Sequence, residues 1–453
     1  MSLRLEGISF SYESQSGGVD TAPLFSNLDL EVPGGGAVLV LGEAGSGKTT
    51  LSSIASAITP MYNPGSLGGH ILLDGEPFSA AHEVMDRLSL VPQDPTDYFL
   101  TTSLEDELAT PLESLCWTPE VMEEAICQAL ADWGLERYRQ SQCALLSGGE
   151  KKRLALALAY ITKPRYIILD ESFDELDAHW RSVLGGRIAR RQSASLVTSS
   201  RFIEDFKGLF DHIYLLEEGR LVEIDEERAI QLSHFSFTPP HASSSKGAIS
   251  VNDLTFSRDA FHLCAERFHL EGGEIVALTG ANGSGKSTFS RLLCALEKPD
   301  SGSVQIDGKT QDARALQRSV GYVFQNPDLQ IFLPTVRDEL MTTLSFLRLG
   351  RNEREARLEE LADLFGLVLS DSALLMSQGA RKRLQCAIYY SLERPFYILD
   401  EIEAALPYAE SARMLSLLSS NGAGILVISH DRAFASAVSN RSCHMEEGRL
   451  YED

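Results

Sequence analysis

The amino-acid sequence predicts an α/β protein in which two similar domains follow each other along one chain. Two glycine-rich segments of the same pattern, residues 42–49 and 280–287, each come directly after an apolar run typical of a buried strand. The chain has 453 residues, which is too long for one hydrophobic core and long enough for two. A repeat that spans about half of such a chain indicates duplicated domains.

Three further segments of the first half recur in the second. Residues 5–12 return as 251–258, residues 37–42 as 275–280, and residues 69–75 as 302–308. The last pair are alternating strands that end in Asp-Gly, a dipeptide typical of tight hairpin turns. In each half a helical pattern follows, at 103–138 and 336–367, and buried apolar strands come after it. This order predicts an α/β core with antiparallel strands and a helical insertion.

The domain boundaries follow from a change in composition near the middle of the chain. Residues 238–247 are rich in Pro and Ser and have no periodicity, and a polar, helix-like stretch precedes them. We therefore expect a first domain at 1–232, a linker at 233–248 and a second domain at 249–453.

Composition excludes several functional classes. The apolar fraction of 43% and charged fraction of 23% are those of a globular protein, not of a disordered or fibrous one. The net charge of −24 argues against a nucleic-acid partner, because phosphate backbones are bound by clustered Lys and Arg. The seven cysteines form no C-x-x-C pair, so we expect reduced thiols in a cytoplasmic protein, with no structural zinc and no disulfide.

The sequence also predicts no membrane-spanning segment. The N-terminal residues lack the pattern of a secretory signal, and no apolar run approaches the roughly 18 residues that a span requires. Any function at a membrane would therefore depend on a separate membrane subunit.

The two glycine-rich segments match the phosphate-binding P-loop. In this motif small glycines let backbone N–H groups surround phosphate oxygens, and the lysine, here Lys48 or Lys286, reaches the outer phosphates. The next hydroxyl, Thr49 or Ser287, holds magnesium. A P-loop alone leaves kinases and GTPases open, so further motifs are needed.

Three more motifs follow each P-loop at matching positions. The first is a glutamine in Val-Pro-Gln-Asp-Pro or Val-Phe-Gln-Asn-Pro, a segment that we name the glutamine loop. The second is a Ser-containing segment followed by basic residues, at 146–153 and 376–383, which we name the signature. The third is an apolar strand that ends in Asp-Glu. Ser147 lies 23 positions before Asp170, and Ser377 lies 23 positions before Asp400. Together these motifs resemble those of the ATP-binding cassette (ABC) ATPases, and the resemblance covers almost the whole chain.

The resemblance implies two P-loop NTPase domains in tandem, each with a RecA-like core, an antiparallel β subdomain and a helical insertion, that hydrolyse ATP with Mg²⁺. It implies catalytic roles for Glu401, His430, Gln325 and Glu171. It implies that ATP is bound by Gly42, Gly45, Ser46, Gly47, Lys48, Thr49, Thr50, Tyr12, Gly280, Asn282, Gly283, Ser284, Gly285, Lys286, Ser287, Thr288, Arg258, Ser147, Gly148, Gly149, Ser377 and Gly379. It implies that Mg²⁺ is held by Thr49, Gln93, Asp170, Ser287, Gln325 and Asp400.

The resemblance also implies that the glutamates accept a proton from the attacking water, and that the glutamines touch magnesium and water while following a membrane partner. It implies that Tyr12 stacks on adenine, a place that the guanidinium of Arg258 could take in the second half. In the family each ATP lies between one domain's P-loop and the other's Ser-Gly-Gly segment, where a helix N-terminus adds hydrogen-bond donors to the γ-phosphate. A fused pair implies that this pairing occurs within one chain.

The two copies differ at family positions. His430 has the family's histidine, whereas the same spacing from Glu171 leads to Ser200, which is shorter and carries no charge. The second signature has Gln378 and Ala380 where the first has Gly148 and Glu150, and Pro407 stands where the first half has Asp177. In the family's arrangement, the first P-loop shares its ATP with the signature of the second half. All these departures from the family pattern therefore belong to the ATP site of the first P-loop. The hypothesis is that the second P-loop site hydrolyses ATP and that the first binds it and turns over slowly or not at all, unless a bridging water replaces the imidazole at Ser200.

The basic triplets at 151–153 and 381–383 allow two interpretations. They suit a nucleic-acid patch, but as helix-surface charges after the signature they are more typical of a solvated face or of one that meets an acidic neighbour.

Residues 323–336 are similar to a segment of energy-coupling-factor importers and their cobalt and nickel relatives. That resemblance implies a transmembrane coupling subunit, a small membrane subunit that captures a vitamin or metal ion, and a location on the inner face of the cell membrane.

Tandem sugar-importer ATPases are an alternative, although in those proteins it is usually the second ATP site, and not the first, that has lost family residues. The ribosome-associated tandem ABC ATPases are the rival from another class, but they carry a long, charged helical linker. A chromosome or DNA-repair ATPase would need a long coiled coil.

Overall fold

The computed structural model divides the chain into two compact units, Met1–His234 and Phe235–Asp453. The structure describes residues 1–13, 23–43, 45–61, 64–174, 176–201, 206–233, 237–238, 246–258, 261–281 and 283–452. Asn282 and most of the proposed linker therefore lie outside the described residues. Each unit is described by itself.

The first unit contains ten strands and six helices in its described part. The strands are β1 (Ser2–Tyr12), β2 (Phe25–Pro33), β3 (Ala37–Leu41), β4 (Gly65–Leu73), β5 (Glu76–Pro77), β6 (Leu88–Val91), β7 (Tyr166–Asp170), β8 (Ala194–Ser199), β9 (His212–Glu217) and β10 (Arg220–Ile224). The helices are α1 (Lys48–Ala55), α2 (Leu104–Ser114), α3 (Pro119–Asp132), α4 (Gly148–Ile161), α5 (Ala178–Ala189) and α6 (Glu226–Ser233).

These strands form two sheets. An antiparallel sheet has the order β2-β1-β4-β5, and a core sheet has the order β10-β9-β3-β8-β7-β6, parallel except for β10. Every residue of β3, β7 and β8 is buried, as expected for parallel strands covered on both faces. Since β3 and β7 are parallel neighbours of β8, the P-loop after β3 and the Asp-Glu pair at the end of β7 meet at one edge of the sheet.

The second unit repeats this plan, again with ten strands, and with eight helices in the described residues. The strands are β11 (Ala248–Arg258), β12 (Phe261–Glu271), β13 (Ile275–Thr279), β14 (Ser301–Ile306), β15 (Lys309–Thr310), β16 (Val320–Val323), β17 (Phe396–Asp400), β18 (Gly424–Ile428), β19 (Arg441–Glu446) and β20 (Arg449–Glu452). The helices are α7 (Lys286–Leu293), α8 (Ala313–Ser319), α9 (Val336–Ser345), α10 (Arg351–Phe365), α11 (Gln378–Ser391), α12 (Ile402–Ala405), α13 (Tyr408–Ser419) and α14 (Arg432–Val438).

The order of its single ten-stranded sheet is β15-β14-β11-β12-β20-β19-β13-β18-β17-β16. The core part, β20 to β16, has the same order as the first unit's core sheet, and the antiparallel part has the same order as the first unit's small sheet. The two parts join where Cys264 of β12 pairs with Arg449 of β20.

The predicted Asp-Gly turns and helical insertions are present. Asp74-Gly75 and Asp307-Gly308 each connect two antiparallel strands with positive φ at both residues, as a two-residue hairpin loop requires. Helices α2 and α9 begin after Ser103 and Thr335, whose hydroxyls accept a hydrogen bond from the backbone N–H three residues later. The predicted α/β fold with two similar domains in tandem is therefore confirmed. No helix in the described ranges combines the length and the apolar character needed to cross a bilayer.

Candidate nucleotide sites

Each P-loop connects the end of a buried strand to a helix whose first residue is the motif lysine. The preceding glycines, Gly47 and Gly285, have φ of 103° and 113°, a backbone conformation that favours glycine. Lys48 Nζ donates to the carbonyl oxygens of Gly42 (2.7 Å) and Glu43 (2.9 Å). Lys286 Nζ makes the same two contacts within its own loop, at 2.7 and 3.0 Å. Both ammonium groups therefore lie across the loop that they belong to.

The loops have the shape that phosphate groups require. Gly45 and Gly283 also have positive φ, and a Cβ on either would meet no atom within 4 Å, so open space lies in front of the backbone there. The hydroxyls of Ser46 and Ser284 are buried and lack a hydrogen-bond partner in the described part of the chain. Thr49 and Thr50, and likewise Ser287 and Thr288, lie in the first helical turn, where backbone N–H groups are free to bind an anion. These residues fit a nucleotide phosphate chain.

Oxygen atoms suited to Mg²⁺ meet beside the first P-loop. Thr49 Oγ1 lies 3.4 Å from Gln93 Oε1. Asp170 Oδ1 accepts hydrogen bonds from Thr198 Oγ1 at 2.6 Å and from Ser52 Oγ at 3.4 Å, and burial raises the pKa of Asp170. Hydroxyl, amide and carboxylate oxygens are the ligands that Mg²⁺ prefers, so the set fits this ion.

The equivalent aspartate of the second half has a different partner. Asp400 Oδ2 accepts a hydrogen bond from the buried Tyr322 hydroxyl at 2.7 Å. Burial and the adjacent Glu401 carboxylate raise the pKa of Asp400 to about 6. No sequence motif indicates this role for Tyr322, because Tyr322 and Asp400 are 78 positions apart.

In the second half the structure brings three predicted catalytic residues together. Glu401 Oε2 accepts a hydrogen bond from Gln325 Nε2 at 2.6 Å, and Glu401 Oε1 lies 3.1 Å from His430 Nδ1. Burial opposes a charge on His430, but the Glu401 carboxylate outweighs that effect and raises the pKa of His430 to about 9. Burial likewise opposes the carboxylate charge, but His430 lowers the pKa of Glu401. Both shifts favour the charged forms of the two side chains.

In the first half the matching glutamate has other neighbours. Glu171 Oε1 forms a buried ion pair with Lys48 Nζ at 3.3 Å, and Glu171 Oε2 accepts hydrogen bonds from the backbone N–H (3.0 Å) and hydroxyl (3.3 Å) of Ser200. Gln93 lies at Thr49 instead of at this carboxylate. Glu171 and Glu401 both have left-handed backbone angles, with φ of 45° and 47°, so the backbone is alike and the side-chain partners differ.

The two signature segments also begin their helices differently. The Ser147 N–H and hydroxyl donate to Glu150 at 2.9 and 2.7 Å, and Glu150 accepts a further hydrogen bond from Tyr138. Although burial opposes it, these hydrogen bonds lower the pKa of Glu150. Gly148 and Gly149 form the first turn of α4. At the start of α11 there is no carboxylate to make these hydrogen bonds, because Ala380 stands in place of the glutamate. Its backbone N–H donates to Ser377 Oγ at 3.3 Å. Gln378 and Gly379 begin that helix.

The residues expected near adenine lie at the ends of β1 and β11. The Tyr12 hydroxyl lies 2.7 Å from Thr50 Oγ1, which places the aromatic ring beside the first P-loop helix. Arg258 forms an exposed ion pair with Glu297 at 2.8 Å, and its guanidinium lies 5.4 Å from the Phe256 ring centroid. At the other divergent position, Asp177 accepts a hydrogen bond from Trp180 N at the start of α5, and Pro407 precedes α13.

The surface interpretation of the basic triplets is wrong for their central lysines. Lys152 and Lys382 are fully buried, and each ammonium donates to two backbone carbonyls of the glutamine loop. The outer arginines of the second triplet do face acidic neighbours, Asp328 and Glu410. Sequence reasoning had no signal for the difference, because the helix face that a lysine occupies depends on packing.

Two buried glutamates, Glu107 and Glu339, also lie outside the motifs recognised in the sequence. Glu107 accepts hydrogen bonds from the backbone N–H groups of Leu100 and Thr101, and Glu339 accepts those of Phe332 and Leu333. In each half a carboxylate therefore holds the segment between the glutamine loop and the helical insertion.

The combination of P-loop, glutamine loop, signature helix and Asp-Glu strand occurs in both halves. The family model described as ABC transporter matches residues 25–174 and 265–404, more than half of the chain. The chain belongs to the ABC transporter family. It is an ATPase with two cassettes in tandem.

Relatives share this organisation along their length. This ABC ATPase is 26% identical over 480 residues to a Treponema denticola protein described as a candidate ABC transporter ATP-binding protein, which covers 100% of this chain and 96% of the relative. It is 28% identical over 490 residues to the Bacillus subtilis protein YkoD, described as a candidate HMP/thiamine import ATP-binding protein, with coverage of 96% and 88%. An archaeal ribosome recycling factor, aABCE1, solved with the ribosomal stalk protein aP1, has the same fold, with a TM-score of 0.65, 20% identity and coverage of 98% and 90%.

Proposed function

We propose that this chain is the ATP-hydrolysing subunit of an energy-coupling-factor type importer for a vitamin or transition-metal ion, and that the second-half site performs the hydrolysis. The first-half site binds ATP and turns over slowly or not at all. The observation that carries the asymmetry is the cluster at Glu401, where a histidine and a glutamine bind the carboxylate.

The geometry at Glu401 suits a base. Gln325 and His430 bind different oxygens of one carboxylate and so fix its orientation, and a fixed carboxylate can accept the proton of a water that attacks the γ-phosphate. Bound Mg²⁺ neutralises charge on the β- and γ-phosphates. At Glu171, Gln93 lies beside Thr49 and not beside the carboxylate, and Ser200 offers no imidazole. These contacts support hydrolysis in the second half.

Exposed apolar side chains beside the second glutamine loop support a membrane-subunit partner. Leu329 and Phe332, which follow Gln325 closely in sequence, are 58% and 71% exposed, and Phe346 at the end of α9 is 78% exposed. Large exposed apolar side chains are suited to protein–protein contacts. The Glu339 carboxylate accepts a hydrogen bond from the backbone N–H of Phe332, so the Phe332 side chain lies on an ordered segment. The surface suits the coupling subunit of an importer, with a small capture subunit beside it.

The names of relatives favour transport. Those reported above are described as transporter ATP-binding proteins, and YkoD is described for HMP/thiamine import. The likeness to aABCE1, at 20% identity, concerns the fold alone. We therefore propose a location on the inner face of the cell membrane, bound to membrane subunits, with no nucleic-acid partner.

Paired glutamate substitutions test the proposed site of hydrolysis. We expect Glu401→Gln to lower the steady-state ATPase rate by about 100-fold or more, because a general base typically contributes that much. Glu171→Gln should leave the rate within about twofold, since that carboxylate belongs to the site that turns over little. The opposite pattern, a normal rate for Glu401→Gln and loss for Glu171→Gln, would reverse the assignment.

Isolation of the tagged chain from detergent-solubilised membranes tests the partner. We expect small integral membrane proteins to co-purify in stoichiometric amounts and to lose contact when Phe332→Asp and Phe346→Asp are combined. Arg314→Asp, an exposed change elsewhere on the second unit, serves as the control. Recovery of ribosomes without membrane proteins would contradict the importer function.

A further inference from the structure

Two polar side chains outside the predicted set of site residues, the fully buried Lys382 and the partly buried Gln330, bind the backbone of the glutamine loop in the second half. Lys382 of α11 is fully buried, and its Nζ donates to the carbonyl oxygens of Phe324 at 2.6 Å and Gln325 at 2.9 Å. Gln330 approaches the same segment: its Oε1 accepts from Phe324 N at 3.1 Å and its Nε2 donates to Tyr322 O at 2.8 Å. We name Lys382 and Gln330 the loop clamp.

The amide of Gln330 is itself held in place. Gln385 Nε2 donates to Gln330 Oε1 at 2.7 Å, and Gln330 Nε2 donates to the Tyr389 hydroxyl at 2.7 Å. Both partners lie on α11, as Lys382 does. The signature helix therefore binds the backbone on either side of Phe324 through three of its side chains, directly or through Gln330.

The clamp leads directly to the catalytic carboxylate. Gln325, whose backbone carbonyl binds Lys382, donates through its side chain to Glu401 Oε2, and Glu401 also binds His430. A continuous series of hydrogen bonds thus links α11 to the base. A change in the position of the Gln325 backbone would move the side-chain amide with it, since only a short side chain separates them.

The first half has one arm of this arrangement. Lys152 is likewise buried and donates to Pro92 O and Gln93 O. Five positions after Gln93 stands Tyr98, where the second half has Gln330, so the amide is missing. There Gln93 lies beside Thr49 and not beside the glutamate. The full clamp and the glutamine–glutamate contact occur together in the second half.

We propose that Lys382 and Gln330 are positioning residues for ATP hydrolysis, which hold Gln325 in the orientation that aligns Glu401. The inference rests on the proposed function, because it assumes that Glu401 is the base. The lysine acts through the loop backbone, because its ammonium group is fully buried against two backbone carbonyls. Its contribution therefore appears in kcat and not in nucleotide binding.

The test is a double-mutant cycle on the purified full-length chain. We expect Lys382→Met to lower kcat by about tenfold to a hundredfold, the range for a small misplacement of a catalytic group, with KM for ATP within about twofold of wild type. Lys382→Arg should recover most of the rate, since a guanidinium can donate to both carbonyls. In a Gln325→Ala background, Lys382→Met should cause no further fall, because the group that it positions is gone.

A matched control lies one residue along the same helix. Arg383 pairs with Glu410, and none of its hydrogen bonds among the described residues reaches the glutamine loop, so Arg383→Met should keep kcat within about twofold of wild type. If Lys382→Met fails to fold, as judged by its melting temperature, Gln330→Met takes its place in the same cycle.

Two outcomes would overturn the inference. One is that Lys382→Met, or Gln330→Met, lowers kcat by the same factor with and without Gln325. The other is that Arg383→Met is as harmful as Lys382→Met, which would indicate loss of helix integrity. A failure of the proposed function is distinguishable, because it appears as normal turnover in Glu401→Gln whatever the cycle shows.

Discussion

At the scale of single residues, the same side chain has different partners in the two halves. Glu401 is bound by a histidine and a glutamine, whereas Glu171 is bound by a lysine and a serine. Their backbones share a left-handed conformation, so sequence divergence around them, not the fold, sets the chemistry available to each carboxylate.

A pair of substitutions at the divergent position measures this difference. His430→Ala should lower kcat by about 100-fold or more, the typical effect of removing one preorganised polar group from a transition state. Ser200→Ala should change the total rate by less than about twofold, because its glutamate belongs to the site proposed to turn over little. Steady-state ATPase assays on both variants provide the measurement, and a large loss in Ser200→Ala would show that the first half contributes turnover.

At the scale of elements, the two signature helices begin with different hydrogen bonding. Glu150 accepts hydrogen bonds from Ser147 and Tyr138 at the start of α4, while at the start of α11 Ser377 Oγ accepts from Ala380 N and no carboxylate takes part in the described hydrogen bonds. A helix start that is bound by a carboxylate is stabilised both by the hydrogen bonds and by the favourable interaction of a negative charge with the helix dipole.

Removal of this carboxylate should destabilise the first unit. We expect Glu150→Ala to lower the free energy of unfolding by about 1 kcal/mol, the usual cost of a lost helix cap. Denaturant unfolding monitored by tryptophan fluorescence can report it, since the chain's three tryptophans lie in the first half. Glu124→Ala, an exposed change on α3, should stay within about 0.5 kcal/mol of wild type. Equal destabilisation by both changes would remove any special role of the cap.

The elements also show how far the sequence could lead. The glycine loops, the Asp-Gly turns and the helical insertions were predicted because each depends on neighbours in sequence. Tyr322, Glu339 and Lys382 were not, because their importance depends on contacts that only the fold creates: Lys382 and Phe324 are 58 positions apart. A buried lysine is hard to recognise from sequence, since lysine is ordinarily exposed and only its paired carbonyls make burial tolerable.

At the scale of the whole molecule, the two halves share the order of their strands and differ in side-chain contacts near the proposed sites. Both units have the same strand order in their core and antiparallel parts, and in both a lysine of the signature helix grips the glutamine loop. The differences described above lie around Glu171 and Glu401, the carboxylates proposed as catalytic, and in the loops beside them. The repeat and the order of motifs predicted this organisation from sequence. The hydrogen-bond partners of Glu171 and Glu401 could be identified only from the structure.

The ion pair between Lys48 and Glu171 has one more consequence. The lysine that a triphosphate needs is already satisfied by an internal anion, so the protein's own carboxylate is a competitor of the ligand. A nucleotide that binds this P-loop would have to exchange one negative partner of the lysine for another inside a buried environment. We therefore expect Glu171→Gln, which neutralises the competing carboxylate, to lower the dissociation constant for nucleotide at the first P-loop, as measured by calorimetric titration.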